Sequence, residues 1–224
     1  MNFVAQSRNR KELNLDISFY SNRLYSLPQC ILNMRSLTLL KLTRVSLEGI
    51  VSLHLPSLIS LELDHVLQVR NFNLSSCGKI QKLSLMSINT FIGGMMEDFI
   101  LQLPLLEYLD ISFCSKIQNL KIYKQHLKRF VFIGNDFCPE SVITIDAPNL
   151  VSFRLLQSRV PSNFSVIAPN ILDADINICG EKPYDFQCYL NLHNFLSQFD
   201  ISKQLRLCFR DEVYLPFFCL FIYI

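Results

Sequence analysis

The sequence predicts an α/β solenoid of stacked repeats, with a curved parallel β-sheet on its concave face and a convex side of irregular, short helical or extended segments. Three observations predict it. The first is a recurring pattern: an apolar residue, two variable residues, two apolar residues flanking one variable position, and a closing residue three positions on. It reads Leu37, Leu40, Leu42, Val45; Leu58, Leu61, Leu63, Val66; Ile80, Leu83, Leu85, Ile88; and Leu106, Leu109, Ile111, Cys114. It continues through Leu127, Phe130, Phe132, Asn135; Leu150, Phe153, Leu155, Ser158; and Ile171, Ala174, Ile176, Cys179. The second is spacing: closing positions 45, 66, 88, 114, 135, 158 and 179 are 21, 22, 26, 21, 23 and 21 residues apart, the period and shape of leucine-rich repeats. The third is composition, since 50% of the 224 residues are hydrophobic, which suits an array that seals Leu, Ile and Phe between its turns.

Residues 1–35 are expected to form an N-terminal cap and first strand, 36–180 the repeat array, and 181–224 an irregular, shortened capping region. Glu12-Leu13-Asn14-Leu15-Asp16-Ile17 alternates as a strand should. Within each repeat strand the flanking leucines enter the core, and the residues between them face outward. Pro56, Pro104, Pro148 and Pro169 stand just before strands, where proline blocks helix and sets an extended approach without removing a ladder donor. Ile117 to Ile122 repeats the pattern half a period late and is expected on the convex side. Met95 to Leu103 carries apolar residues at helical spacing, as does Tyr189 to Phe199, and Gln204 to Leu207 reads as a last strand. The apolar run from Pro216 to Ile224 is assigned no element.

Charge and cysteine usage narrow the function classes. With 21 basic and 19 acidic residues, net +2, and no Lys/Arg run, nucleic acid is not an expected partner. The eight cysteines occur singly, without the C-x-x-C spacing of a metal site or a disulfide framework. Reduced thiols and a polar N-terminus predict a cytoplasmic or nuclear protein. The ten-residue apolar stretch from Leu215 to Ile224 is too short to span a bilayer, which needs about 20 residues as a helix. Sequons at Asn73 and Asn163 are read as chance. No metal or cofactor is expected, and the chain is expected to be a monomer.

The segments Lys11-Glu12-Leu13-Asn14-Leu15-Asp16-Ile17, Ser36 to Leu42, Leu55-Pro56-Ser57-Leu58-Ile59-Ser60-Leu61-Glu62-Leu63-Asp64, Ile145-Asp146-Ala147-Pro148-Asn149-Leu150 and Ala174 to Ile178 resemble the plant F-box proteins with leucine-rich repeats, including those with an FBD segment. The resemblance covers most of residues 8 to 208. It implies a substrate-recognition surface of a Skp1–cullin–F-box ubiquitin ligase, whose separate F-box docks on the Skp1-type adaptor. Leu27-Pro28-Gln29-Cys30-Ile31-Leu32 imitates an F-box opening but is read as part of the first repeat; no F-box is expected in this chain, and by itself it is not expected to bind the Skp1-type adaptor. The alternative reading is a truncated or degenerate family member without ligase activity.

In such an array the variable outward positions carry recognition. The central row is Lys41, Glu62, Ser84, Asp110, Val131, Arg154 and Asp175; the next is Thr43, Asp64, Met86, Ser112, Ile133, Leu156 and Asn177. From these rows Lys41, Glu62, Asp64, Asp110, Val131, Ile133, Arg154, Leu156 and Asp175 are the expected contacts to an unknown protein. Two tendencies stand out, an acidic set (Glu62, Asp64, Asp110) and an apolar set (Val131, Ile133, Leu156) beside Arg154, the composition of a protein-binding hot spot. An enzyme is the least supported class. His54, His65, His126 and His193 are scattered and pair with no cysteine in a nucleophile–base pattern, and Gly93-Gly94 lacks a phosphate-loop frame.

Overall fold

The computed structural model describes residues 11–16, 25–27, 31, 33–50, 52–67, 69, 73–89, 95–115, 117–134, 137–158, 163–179, 186–199, 202–210 and 218–222. They fall into two compact units, Met1–Leu106 and Glu107–Ile224.

The first unit contains β1 (Glu12–Asp16), β2 (Tyr25–Ser26), β3 (Leu39–Thr43), β4 (Val45–Ser46), β5 (Ser60–Asp64), β6 (Lys82–Met86) and helix α1 (Met95–Leu101). β1, β3, β5 and β6 lie side by side, all parallel, in the repeat's own register: Leu15 faces Leu42, Leu42 faces Leu63, and Leu63 faces Leu85. Leu40, Leu42, Leu61, Leu63, Leu83 and Leu85 are sealed, whereas Lys41, Glu62 and Ser84 between them are half-buried. This is the two-residue alternation of a strand with one face on a core. β1 is therefore the first rung of the sheet. Behind it, β2 pairs with β4, and single bridges continue that ladder from Ser46 to Leu67 and from Ser52 to Asn73. Helix α1 buries Met96, Phe99 and Ile100, the i, i+3, i+4 stripe of a helix lying on a core.

The prolines do something different from the extended approach expected of them. Leu58 N–H donates to the Leu55 carbonyl at 3.0 Å, and Leu106 N–H to that of Leu103 at 3.4 Å. Each Pro thus sits at the second position of a β-turn, where its fixed φ of about −65° fits. In the second unit the same turn recurs at Pro148, from Leu150 to Ala147 at 2.9 Å, and at Pro169, from Ile171 to Ala168 at 3.2 Å. The turn delivers the first apolar residue of the repeat into the core.

A second regular device follows the strands. Arg44, His65 and Ser87 have φ of 57°, 49° and 54°, a left-handed conformation unusual for side-chain-bearing residues. The ladder continues through it, since Arg44 N–H donates to Asp64 O at 2.9 Å and His65 N–H to Met86 O at 3.0 Å. The bend turns Val45, Val66 and Ile88 inward, where each is 0% exposed.

The second unit contains β7 (Tyr108–Ser112), β8 (Ile117–Tyr123), β9 (Arg129–Ile133), β10 (Phe137–Asp146), β11 (Ser152–Gln157), β12 (Asn163–Ile167), β13 (Asp173–Cys179), α2 (Phe186–Leu196), β14 (Gln204–Arg210) and β15 (Phe218–Ile222). β7, β9, β11, β13 and β14 form a parallel front sheet, in which Ile111, Phe132, Leu155, Ile176 and Leu207 stack in one column. β8, β10 and β12 form a separate parallel sheet behind it. Ile117 to Ile122 thus lies in an extended back segment, as its late pattern predicts. β10 and β12 were not anticipated: Ser141, Ile143, Ile145 and then Phe164, Val166 alternate inward, and the β-branched run Val142-Ile143-Thr144-Ile145 favours strand over helix.

Aromatic residues lock the layers of this unit. Phe153 on β11 lies 5.9 Å from Phe130, 6.2 Å from Phe164, 6.2 Å from Phe195 and 5.0 Å from Phe199, centroid to centroid. The front sheet, the back sheet, α2 and the turn after it therefore share one ring cluster. Two departures from expectation appear near the end. β11 stops one residue short of its closing position, Ser158, which is exposed, whereas β13 runs on to its closing position, Cys179. The final apolar run forms β15, which pairs antiparallel with β14 and covers its edge. Asn135, Cys138's side chain and Gly93-Gly94 lie outside the described residues.

Candidate functional site

The open face of each sheet, opposite the sealed leucines, collects the outward rows. In the first unit Lys41, Glu62 and Ser84 are neighbours across β3, β5 and β6. Glu62 is held between cations from both adjoining strands: Lys82 Nζ donates to Oε1 at 2.7 Å, and Lys41 Nζ lies 3.5 Å from Oε2. The hydrogen bond from Lys82 does most to hold the Glu62 carboxyl below the usual glutamate range, against a partial desolvation that acts the other way. Asp64 meets the ring of His65 at 2.6 Å. Of the two carboxylates of the acidic set in this unit, Glu62 is ion-paired to lysines and Asp64 is hydrogen-bonded to an imidazole.

Glu62→Gln is expected to lower stability by up to about 1 kcal/mol near neutral pH, discounted for solvent and salt screening of partly exposed lysines. A carboxylate with a depressed folded-state pKa stabilises above its unfolded value and loses that contribution as pH falls through the folded one. The gap between the variants should therefore close in acid, below the ordinary glutamate range of about 4.3. Urea unfolding of both proteins near pH 7 and near pH 3 checks the sign.

The second unit differs in character. Asp110 accepts a short hydrogen bond from the Ser112 hydroxyl. Val131, one strand over, is 9% exposed, and its register partners are Asp110 and Arg154. Ile133 and Leu156 are direct neighbours across β9 and β11, and both are half-buried. The Arg154 side chain is 54% exposed, with Nε 3.4 Å from Asp175 Oδ2. Asp175 also accepts from Asn177 Nδ2 at 2.7 Å, and Arg206 lies 3.6 Å from Asp173. The apolar trio is thus bordered by an ordered charge ladder. Arg154 lies beside Asp175 with more than half of its side chain open to solvent.

Sequence reading missed Phe113. It occupies the left-handed slot after β7 (φ 54°), is 52% exposed, and its ring lies so close to Gly134 (φ 56°) that a Cβ there would sit 2.6 Å from it. The slot otherwise holds Arg44, His65, Ser87 and Gly134; a bulky aromatic in it is strained. Strain of this kind concentrates at functional sites. The signal was present in the sequence as the residue following each strand, a row that the repeat pattern does not score.

Chemistry for catalysis is poor. Among the described residues no three His, Cys, Asp or Glu converge as a metal site. Cys77 and Cys114 are buried, and their thiols face the carbonyls of Leu53 and Ser112, each at 3.6 Å. Burial pushes the Cys77 thiol up, away from the reactive thiolate. His54, His65 and His126 lie outside helices and strands, and His193 is exposed on α2. Asn73, one of the two sequon asparagines, accepts from Ser75 N–H at 2.7 Å in a local turn. No described helix is long and apolar enough to cross a membrane.

No protein-family model and no solved structure matches the chain. Among curated proteins it is similar to F-box/LRR-repeat protein 13 of Arabidopsis thaliana, 29% identical over 177 residues, which cover 75% of this chain and 34% of that protein. The chain thus corresponds to about a third of the relative's length. The repeat register and this similarity together support a relationship to the F-box proteins with leucine-rich repeats.

Proposed function

We infer that this chain is a non-catalytic protein-interaction module, which holds its partner against the open face of the front sheet in the second unit. The observation that carries the reading is the juxtaposition of Ile133 and Leu156 in register, with Val131 and Arg154 alongside. Half-buried Ile133 and Leu156 on a strand face, next to a solvent-exposed arginine, have the composition of an interface core with an anchoring cation. Within that reading, the similarity to an F-box/LRR-repeat protein favours substrate recognition for a ubiquitin ligase. Lys41, Glu62 and Asp64 form the corresponding polar surface of the first unit, where charge pairing favours partner selection over affinity.

The test compares faces. Ile133→Asp puts a charge into the apolar trio and is expected to weaken capture of the partner from cell extract more than tenfold, on the order of the 2 kcal/mol that defines a hot spot. Tyr123→Ser, at the exposed end of β8 on the back sheet, should leave capture unchanged. Equal capture by wild type and Ile133→Asp, with both proteins folded by circular dichroism, refutes the assignment of the face.

A further inference from the structure

We propose that Cys208 and Cys219 form a reversible disulfide that ties the last strand of the second unit to its neighbour when a small disulfide of the glutathione type is present. The two residues are direct partners in the antiparallel register of β14 and β15, between the pairs Leu207 with Leu220 and Phe209 with Phe218. Directly opposed residues of an antiparallel pair have Cα atoms about 4.5 or 5.5 Å apart, according to whether they exchange main-chain hydrogen bonds. A disulfide spans Cα separations of about 4.4–6.8 Å. Both kinds of position therefore admit the bond with the backbone in place. In the sequence the two thiols look unrelated, because Cys219 follows Cys208 by 11 residues and a strand register, not a short motif, brings them together.

The same geometry disfavours the other thiol nearby. On its opposite side Cys208 faces Asn177, and Cys179 stands two residues farther along β13. Strand spacing and rise make that diagonal roughly 8 Å between Cα atoms, beyond the roughly 7 Å across which two cysteines can be bridged without backbone movement. Cys208 is 7% exposed, which limits its encounters with bulk thiols, whereas a partner in register needs no diffusion.

Only one of the two thiolates has to reach the small disulfide. It attacks a sulfur there, breaks that S–S bond and releases one small thiolate; the second protein thiolate then attacks the mixed disulfide and releases the other. Two electrons pass from the protein thiols to the small disulfide, and the two protons that the cysteines lose go to the departing thiolates. Excess small thiol reverses the sequence. β15 covers the edge of β14, the last parallel strand of the front sheet. An uncovered edge presents a row of main-chain donors and acceptors to any other strand, so the bond sets how firmly that edge stays closed. The pair lies in the outward row that runs through Ile133, Leu156, Asn177 and Cys208, each in register with the next. Its test involves no partner, so this proposal and the assignment of the interaction face fail separately.

The experiment incubates the full reduced chain with oxidised glutathione, traps the remaining thiols with N-ethylmaleimide in denaturant, and maps tryptic peptides by mass spectrometry without reduction. Trypsin cuts after Arg206 and Arg210, which puts Cys208 in peptide 207–210 and Cys219 in peptide 211–224. The expected product is these two peptides joined, and separated again by dithiothreitol. Hydrogen exchange supplies a second readout: the β15 amides are expected to exchange about tenfold more slowly in the oxidised chain, because local opening then works against a covalent tie, with no such change in Cys219→Ser. The wild-type peptide map needs no variant, so it decides even if Cys219→Ser fails to fold. Recovery of both cysteines as maleimide adducts or as separate glutathione adducts overturns the proposal. So does Cys208 bridged to Cys179 or to any other cysteine, a joined product that forms equally well in urea-unfolded chain, or unchanged β15 exchange after oxidation.

Discussion

Phe153→Ala is expected to destabilise the second unit by about 3–5 kcal/mol, the range for removing a buried phenylalanine and leaving a cavity. Phe153 is 0% exposed, and its ring touches Phe130 in the front sheet, Phe164 in the back sheet, and Phe195 and Phe199 in the C-terminal helical segment. Rings from four elements cannot all move inward to fill the void, because each is held by its own backbone, so relaxation is limited. Offset and edge-to-face pairs contribute beyond area burial, about 0.5–1.5 kcal/mol each. Equilibrium urea unfolding measures the effect. A loss under about 1 kcal/mol would show that the ring cluster does not tie the layers together.

The second large effect is expected at Leu63→Ala, which should cost about 2–5 kcal/mol. Leu63 is 1% exposed and lies between Leu42 and Leu85 in the stacked column of the first unit. In a repeat array each turn is stabilised by its neighbours, so a cavity in the middle weakens two interfaces. Ser84, in the next strand over and facing the other side, is the matching control: Ser84→Ala should stay within about 0.5 kcal/mol, as surface changes do. Thermal melts of the two variants decide it. Similar losses in both would mean that the inward and outward assignment is wrong.

The inward half of the fold was legible because packing obeys a simple period. Every strand of the front sheets begins within a residue or two of where the leucine pattern puts it, and the columns through Leu42 and through Phe132 follow from counting alone. The helices were legible from their apolar spacing, although α1 ends at Leu101 rather than Leu103. β10 and β12 were hidden because they lie between scored positions, and their pattern is the short β-branched alternation that any half-buried strand shows. β15 was hidden because its composition reads equally as a core strand or a capless tail. At the candidate site, the row membership of Ile133, Leu156 and Arg154 came from sequence, but charge pairing did not. Glu62 looks acidic in one dimension and is neutralised by Lys41 and Lys82 only once strands 20 residues apart lie side by side. Phe113 stands in the row that follows each strand, which the leucine pattern does not score, and its left-handed φ is visible only in the backbone.

The partner is expected to lie on the face that carries Ile133. A photoreactive phenylalanine analogue introduced at Ile133, and in a second protein at Tyr123 on the back sheet, tests it in a single illumination. A covalent adduct with the partner is expected from position 133 and none from 123. An adduct from 123 with none from 133 would contradict it.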